Sequence, residues 1–305
     1  MIETILKIEP RTTTTGSGKS ADEMVDELAE QILENLPAPL TREGSFKELF
    51  HLNKQGLMNS LTTFLMQEMV RFNRLLSVME KSCEEIRNAL KGLAVMSEEL
   101  DQMYQSMLNN RVPEMWAEVA YPSLKPLGLW IQNLYERVEF LRDWLQKGKP
   151  TAFWIPAFFF PQGFITAVLQ QYARKHHIAI DTLSFSFQVT SFWRVEDVNK
   201  SPGDGVYVSG LFLQCGSINT ESFQLEEAAP GEKFSAVPII RFVPEENYKP
   251  DPTSYACPVY KTSVRAGMLS TTGHSTNFII MVELPSEMPP KHWILRGAAL
   301  LCQVD

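Results

Sequence analysis

Positive charge, long apolar runs and paired cysteines are all scarce in this protein. Its 28 lysines and arginines are outnumbered by 36 aspartates and glutamates, a formal charge of −8 at pH 7. That balance argues against nucleic acid, whose recognition requires a basic footprint, and against an anionic membrane surface. No stretch reaches the ~18 uninterrupted apolar residues that a membrane-spanning helix needs. Met1-Ile2-Glu3-Thr4 lacks the basic region and apolar core of a secretory signal. Cys83, Cys215, Cys257 and Cys302 are scattered, and no pair has metal-ligand spacing. Free thiols in a reducing compartment are therefore expected rather than disulfides. There is no internal repeat, and no low-complexity tract beyond Thr12–Thr15.

What is present is ordinary globular composition, with 44% hydrophobic and 21% charged residues. Its 305 residues suffice to bury a large core as one or two domains. The sequence starts abruptly, close to a helix-like apolar run, and reads as a fragment of a longer product.

The hydrophobic period changes near residue 150. Before it, spacing is helical. Ser20-Ala21-Asp22-Glu23 is a capping-box pattern that opens a helix carrying Val25, Leu28, Ile32 and Leu36 on one stripe, and Pro37 ends it. Leu61, Leu65, Met69, Phe72, Leu76, Met79, Cys83, Ile86 and Leu90 then recur in steps of three and four, which predicts one long, straight helix. Such a rod suits either a strut across a larger body or the longest member of a local bundle. Shorter helices are predicted at Ser97–Asn109 and from Leu127 through Leu145, with Gly148 and Pro150 as stop signals.

After residue 150 strand patterns dominate, with one helix retained at Gln162–His176. Phe185, Phe187 and Val189 alternate with polar residues at period two. Further strands are expected at Val206–Leu213, Val237–Val243, Pro258–Ser263, Phe278–Leu284 and Ile294–Cys302. The predicted class is α+β: a helical subdomain over 1–150 and a β-rich subdomain over 151–305. Consecutive strands with few helices between them favour an antiparallel meander or a small barrel, whose closure would remove exposed edges.

Few motifs point to chemistry. Gly16-Ser17-Gly18-Lys19-Ser20 resembles part of a phosphate loop, but Thr13 stands where the leading glycine belongs and Glu9-Pro10-Arg11 replaces the strand that should lead in. Gly273-His274-Ser275-Thr276-Asn277 approaches a nucleophile elbow, but Asn277 replaces the last glycine and a strand follows where a helix is needed. His176-His177 follow Arg174-Lys175 at a helix C-terminus, where positive charge complements the dipole. Neither has a second histidine at i+4, and a metal site is left without support. Glu98-Glu99 and Glu226-Glu227 are neighbours in sequence and read as solvated acids rather than an acid/base pair across a cleft. Trp116, Trp130, Trp144, Trp154, Trp193 and Trp293, with Phe153 and Phe158–Phe160, form an aromatic load near the helix-to-strand junction. Core packing is the main reading, with some as interface anchors. No catalytic, cofactor-binding or metal-binding residues are assigned.

Several segments carry a family resemblance. They are Tyr255–Arg265, Gly267–Asn277 and His292–Gln303 at the end; Phe153–Ile155, Phe158–Thr166, Gln170–Lys175, Ile180-Asp181 and Gly205–Leu213 in the middle; and Ile5–Arg11 and Leu28–Pro37 near the start. Together they resemble the last segment of dynein heavy chains, of the axonemal class more than the cytoplasmic one. Cys215-Gly216-Ser217-Ile218 and Pro156 depart from the family pattern in two loops. The resemblance implies a non-catalytic domain that follows a ring of ATPase modules, packs on the parent's own ring and modulates motor output. ATP and magnesium would bind elsewhere in the parent. Microtubules and other dynein chains would be partners only through the parent, in the axoneme of a cilium or flagellum. Contacts are expected on the exposed side of the long helix and at the helix end carrying Arg174 and Lys175. The alternative is an independent ligand-binding β-barrel with a helical extension, although Phe185, Phe187 and Val189 are bulky enough to fill its interior.

Overall fold

A computed structural model describes residues 19–267 and 276–304. Among them the protein packs into two compact units that interleave along the sequence. One combines the residues up to Glu43 with Gln67–Arg142, and the other combines Gly44–Met66 with the residues from Asp143 onward.

The first unit is helical. Helix α1, Ala21–Asn35, opens on the expected capping box: the Glu23 amide donates to Ser20 Oγ at 3.2 Å and the Ser20 amide to Glu23 Oε2 at 2.8 Å. Helix α2 runs from Ser60 to Leu90, 31 residues or about 46 Å at the α-helical rise. Its buried stripe within this unit includes Met69, Phe72, Leu76, Met79, Cys83 and Ile86, the residues whose spacing predicted it. The shorter helices α3, Glu98–Leu108, and α4, Glu114–Ala117, lead to a second long helix, α5, Leu127–Lys147. Aromatic stacking organises the core. Trp116 lies on Trp130 with centroids 6.0 Å apart, and Tyr121 lies on Trp130 at 5.9 Å. The Arg137 guanidinium sits 3.6 Å above the Tyr121 ring, and its Nε donates to Asn133 Oδ1 at 2.8 Å.

Helices α1 and α2 are tied by charge as well. Arg87 Nε donates to Asp26 Oδ1 at 2.8 Å and its Nη2 to Glu30 Oε1 at 2.6 Å. The hydrogen bond from Arg87 holds the Asp26 carboxyl below its ordinary pKa. A depressed carboxylate contributes stability above its unfolded pKa of about 3.9, and that contribution is lost as pH falls through the lowered folded value. Because the cluster is partly exposed, Arg87→Met is expected to cost only about 1 kcal/mol at neutral pH. The gap between variant and parent should close as the pH of a urea titration is lowered below about 4. A gap that stays constant down to acid pH would show that Arg87 acts through packing alone.

Among the described residues the second unit holds all the sheets and two complete α-helices. Its strands are β1 Ala152–Trp154, β2 Leu183–Val189, β3 Val206–Ser209, β4 Phe212–Gln214, β5 Ser217–Ile218, β6 Leu225–Glu226, β7 Phe234–Ala236, β8 Ile240–Glu246, β9 Tyr255–Tyr260, β10 Phe278–Leu284 and β11 Ala299–Leu301. They form a four-stranded sheet in the order β1-β3-β8-β2, a five-stranded sheet in the order β10-β9-β11-β4-β7, and the pair β5-β6. Helix α6, Pro161–His176, starts with proline at a position that needs no amide donor. Its Phe164 packs with Phe64, Phe153 and Phe158 at centroid separations of 5.8, 4.8 and 5.0 Å, and Trp144 closes on Phe153 at 5.0 Å. Part of the aromatic load around residue 150, namely Trp144, Phe153 and Phe158, thus lies in the core of this unit.

Four expectations are corrected here. The sheets are mixed rather than an antiparallel meander, since β1 pairs with β3 and β11 with β9 in parallel. Each larger sheet has two distinct edge strands, so the described strands do not close into a barrel. The strand expected at Ile294–Cys302 is a helix followed by a short strand: α7 runs Pro290–Arg296, Gly297 ends it in the left-handed region at φ +68°, and β11 follows. Likewise the single strand expected at Val206–Leu213 is broken at Gly210, where φ is +85°, so that β3 and β4 serve different sheets.

Candidate interaction surfaces

The residues with chemical potential are mostly engaged in local structure. Lys19, the lysine of the partial phosphate loop, is held by Glu27 with Nζ 2.6 Å from Oε1, and Ser20 is the cap of α1. Gly16–Gly18 and Gly273–Ser275 lie outside the described residues. Asn277, at the end of the elbow-like motif, is buried and accepts from the Thr262 amide at 3.1 Å. Glu98 and Glu99 lie in the first turn of α3, where acids complement the helix dipole. Glu226 accepts from Asn219, and Glu227 pairs with Arg296 and with His292, whose Nε2 is 3.1 Å away. His51 is exposed in a loop. His177 ends α6 in the left-handed region at φ +57°. Among the described residues no group of three His, Cys, Asp or Glu could hold a metal ion.

The four cysteines are free thiols. Burial pushes the Cys83 thiol up to about 12 and raises that of Cys257 further, so both stay protonated and unreactive. Among the described residues no helix is long and apolar enough to cross a membrane.

Two surfaces stand out on the helices that sequence reasoning singled out. On α2 within the first unit, Gln67, Val70, Arg74, Lys81, Glu84 and Asn88 are exposed and recur at three-, four- and seven-residue steps along one outward side. Val70, 70% exposed, is the apolar residue in it. At the end of α6, Arg174 donates to the Met58 carbonyl at 3.2 Å. Lys175 Nζ lies 2.6 Å from Asp204 Oδ1, and His176 Nε2 approaches the same oxygen at 3.2 Å. Hydrogen bonding from Lys175, then His176, holds Asp204 ionised below the ordinary carboxylate range. Sequence reasoning identified this cationic helix end but missed Asp204, 29 residues from Lys175, because no local pattern links the two.

Of the six tryptophans, Trp116, Trp130, Trp144 and Trp293 are buried, Trp154 is half-buried, and Trp193 is exposed. Trp193 is therefore the tryptophan that interface anchoring could use, and Ile294 and Leu295 are separately exposed on α7.

Residues 1–302 match the family described as the C-terminal domain of the dynein heavy chain. The whole sequence is 46% identical over 324 residues to human dynein axonemal heavy chain 6, of which it covers 8%. It is 43% identical to human dynein axonemal heavy chain 1 and 45% identical to human dynein axonemal heavy chain 3, with 100% of this sequence and 7% of each relative covered.

Proposed function

We propose that this protein, which belongs to the family of C-terminal domains of dynein heavy chains, is a non-catalytic bracing domain. On this reading it packs on the ATPase ring of its parent motor and modulates the motor's output. The observation that carries this reading is the extent of the match: residues 1–302 align with the C-terminal domain, while this sequence spans only 7–8% of the length of the axonemal relatives. ATP and magnesium would act in that remainder, and the axoneme would be the place of work.

The mechanism requires little from any single residue. A brace shifts the equilibrium between two ring conformations only if its contacts differ between them. About 1–3 kcal/mol of coupling suffices for an effect of roughly 5- to 150-fold. The α2 stripe supports such a role, because a 31-residue helix places contacts on one element over a long span. The alternative ligand-binding barrel finds less support: Phe185 and Phe187 pack on Phe242 at 5.8 and 5.0 Å and fill that face of the sheet.

Removing this segment from the complete heavy chain tests the proposal. Microtubule gliding velocity is expected to change several-fold while nucleotide affinity of the remaining motor stays the same. Unchanged velocity, or loss of nucleotide binding on truncation, would contradict it.

A further inference from the structure

In the second unit a cavity of about 260 Å³ lies between the C-terminal half of α6, the loop leading into β3, and Lys149 just beyond α5. Lys149, Gln171, Tyr172, Lys175, Asp204 and Gly205 contribute to its walls. Two of these groups have polar capacity that no protein group in the cavity takes up. Lys149 forms no ion pair among the described residues, and its Nζ lies 5.9 Å from the Phe153 ring centre. Lys149 is exposed overall, yet the protein packed beside its ammonium, and then the nearby charge of Lys175, lower its pKa. Among the described residues Gln171 Oε1 is a buried acceptor with no hydrogen-bond donor, an arrangement that is unfavourable until a donor arrives.

Lys175 already bonds to Asp204 and to the Gly203 carbonyl at 3.2 Å, so this one carboxylate serves both Lys175 and His176. The cavity therefore calls for negative charge near Lys149 and for a proton near Gln171. A carboxylate or a sulfate supplies the charge and no proton. A phosphate group that retains one proton supplies both. Its size also suits a volume just below the ~300 Å³ at which drug-sized pockets begin.

We propose that this cavity binds a phosphate group that retains at least one proton, free or as a monoester, with its anionic oxygens on Lys149 and Lys175 and its P–O–H donating to Gln171 Oε1. This site is independent of the bracing role and of the partial phosphate loop near Lys19.

Calorimetric titration of the 305-residue protein at pH about 6, near the second pKa of a phosphate monoester, tests the assignment with inorganic phosphate, O-phosphoserine and sulfate as probes. Inorganic phosphate or phosphoserine should bind about tenfold or more tightly than sulfate. The tighter of the two identifies free phosphate or a phosphorylated segment as the source. Lys149→Gln should weaken binding about tenfold, since it removes a charge-assisted contact. Lys147→Gln, which removes a nearby exposed charge paired with Asp143, should leave it unchanged. Gln171→Leu should bring phosphate and sulfate to parity, a loss of discrimination that misfolding would not mimic, and circular dichroism melting establishes that each variant folds. Absence of saturable binding by both phosphate probes, equal binding of sulfate by the parent, or undiminished binding by Lys149→Gln would overturn the proposal.

Discussion

Replacing Trp116 by alanine should lower the unfolding free energy of this protein by about 3–5 kcal/mol, the range for truncating a buried tryptophan. The side chain is fully buried and stacks on Trp130, which in turn stacks on Tyr121 beneath the Arg137 guanidinium. Its Nε1 donates to Ser82 Oγ at 2.9 Å, so the indole also pins α4 to α2. Alanine removes the ring, the stack and the donor together, and leaves a cavity lined by aromatic faces. Trp116→Phe keeps much of the volume and loses the hydrogen bond, which should cost nearer 1–2 kcal/mol, or about the worth of that bond. Ser82 is not orphaned as a donor, because its hydroxyl also donates to the Val78 carbonyl at 2.8 Å. Urea denaturation followed by circular dichroism measures both. Equal effects of the two substitutions would show that the hydrogen bond, not ring packing, dominates.

Gly205→Ala is the second large effect, and its cause lies in the backbone. Gly205 has φ +76°, a left-handed conformation that costs a residue with a side chain ~1–3 kcal/mol. A Cβ there would lie 2.1 Å from the Phe242 carbonyl oxygen and 3.1 Å from the Val243 Cα. Those atoms belong to the central strand β8, which pairs on both sides and cannot step aside. Strain and clash together should exceed about 3 kcal/mol. Gly203→Ala, two residues earlier in the same loop, is the control. A Cβ at Gly203 meets nothing within 4 Å and its φ is not positive, so that substitution should be neutral or stabilising by ~0.4–1 kcal/mol through the unfolded state. Thermal melting of the pair separates the two outcomes, and similar midpoints would refute the close approach of this loop to β8.

The parts of this fold that were legible in the sequence are those governed by local rules. The Ser20–Glu23 cap, the buried stripe of α2 and the strand at Phe278–Leu284 follow from hydrogen bonding and burial within a few residues. The errors came where local pattern and tertiary demand diverge. Ile294 and Leu295 look like strand residues, yet both are exposed on α7. Proline at its start and Gly297 at its end decide that segment. The apolar run from Val206 to Leu213 hides the turn at Gly210, where a Cβ would meet Trp154 at 2.3 Å. Parallel pairing of β1 with β3 joins residues more than fifty positions apart, which no short-range period records. The candidate surfaces were half legible. A cationic end to α6 was visible as Arg174-Lys175-His176, but the partnership with Asp204 and the proximity of Lys149 and Gln171 depend on folding.

The proposed bracing role requires that the domain hold the ring differently in different nucleotide states, and hydrogen exchange on the complete heavy chain reads that directly. With an ATP analogue and then with ADP, amides of Ser60–Leu90 and of the α6 end around Arg174 should differ in protection, by roughly 5- to 150-fold if 1–3 kcal/mol of coupling passes through them. Protection that is the same in both states, and the same as in the isolated domain, would contradict the bracing role.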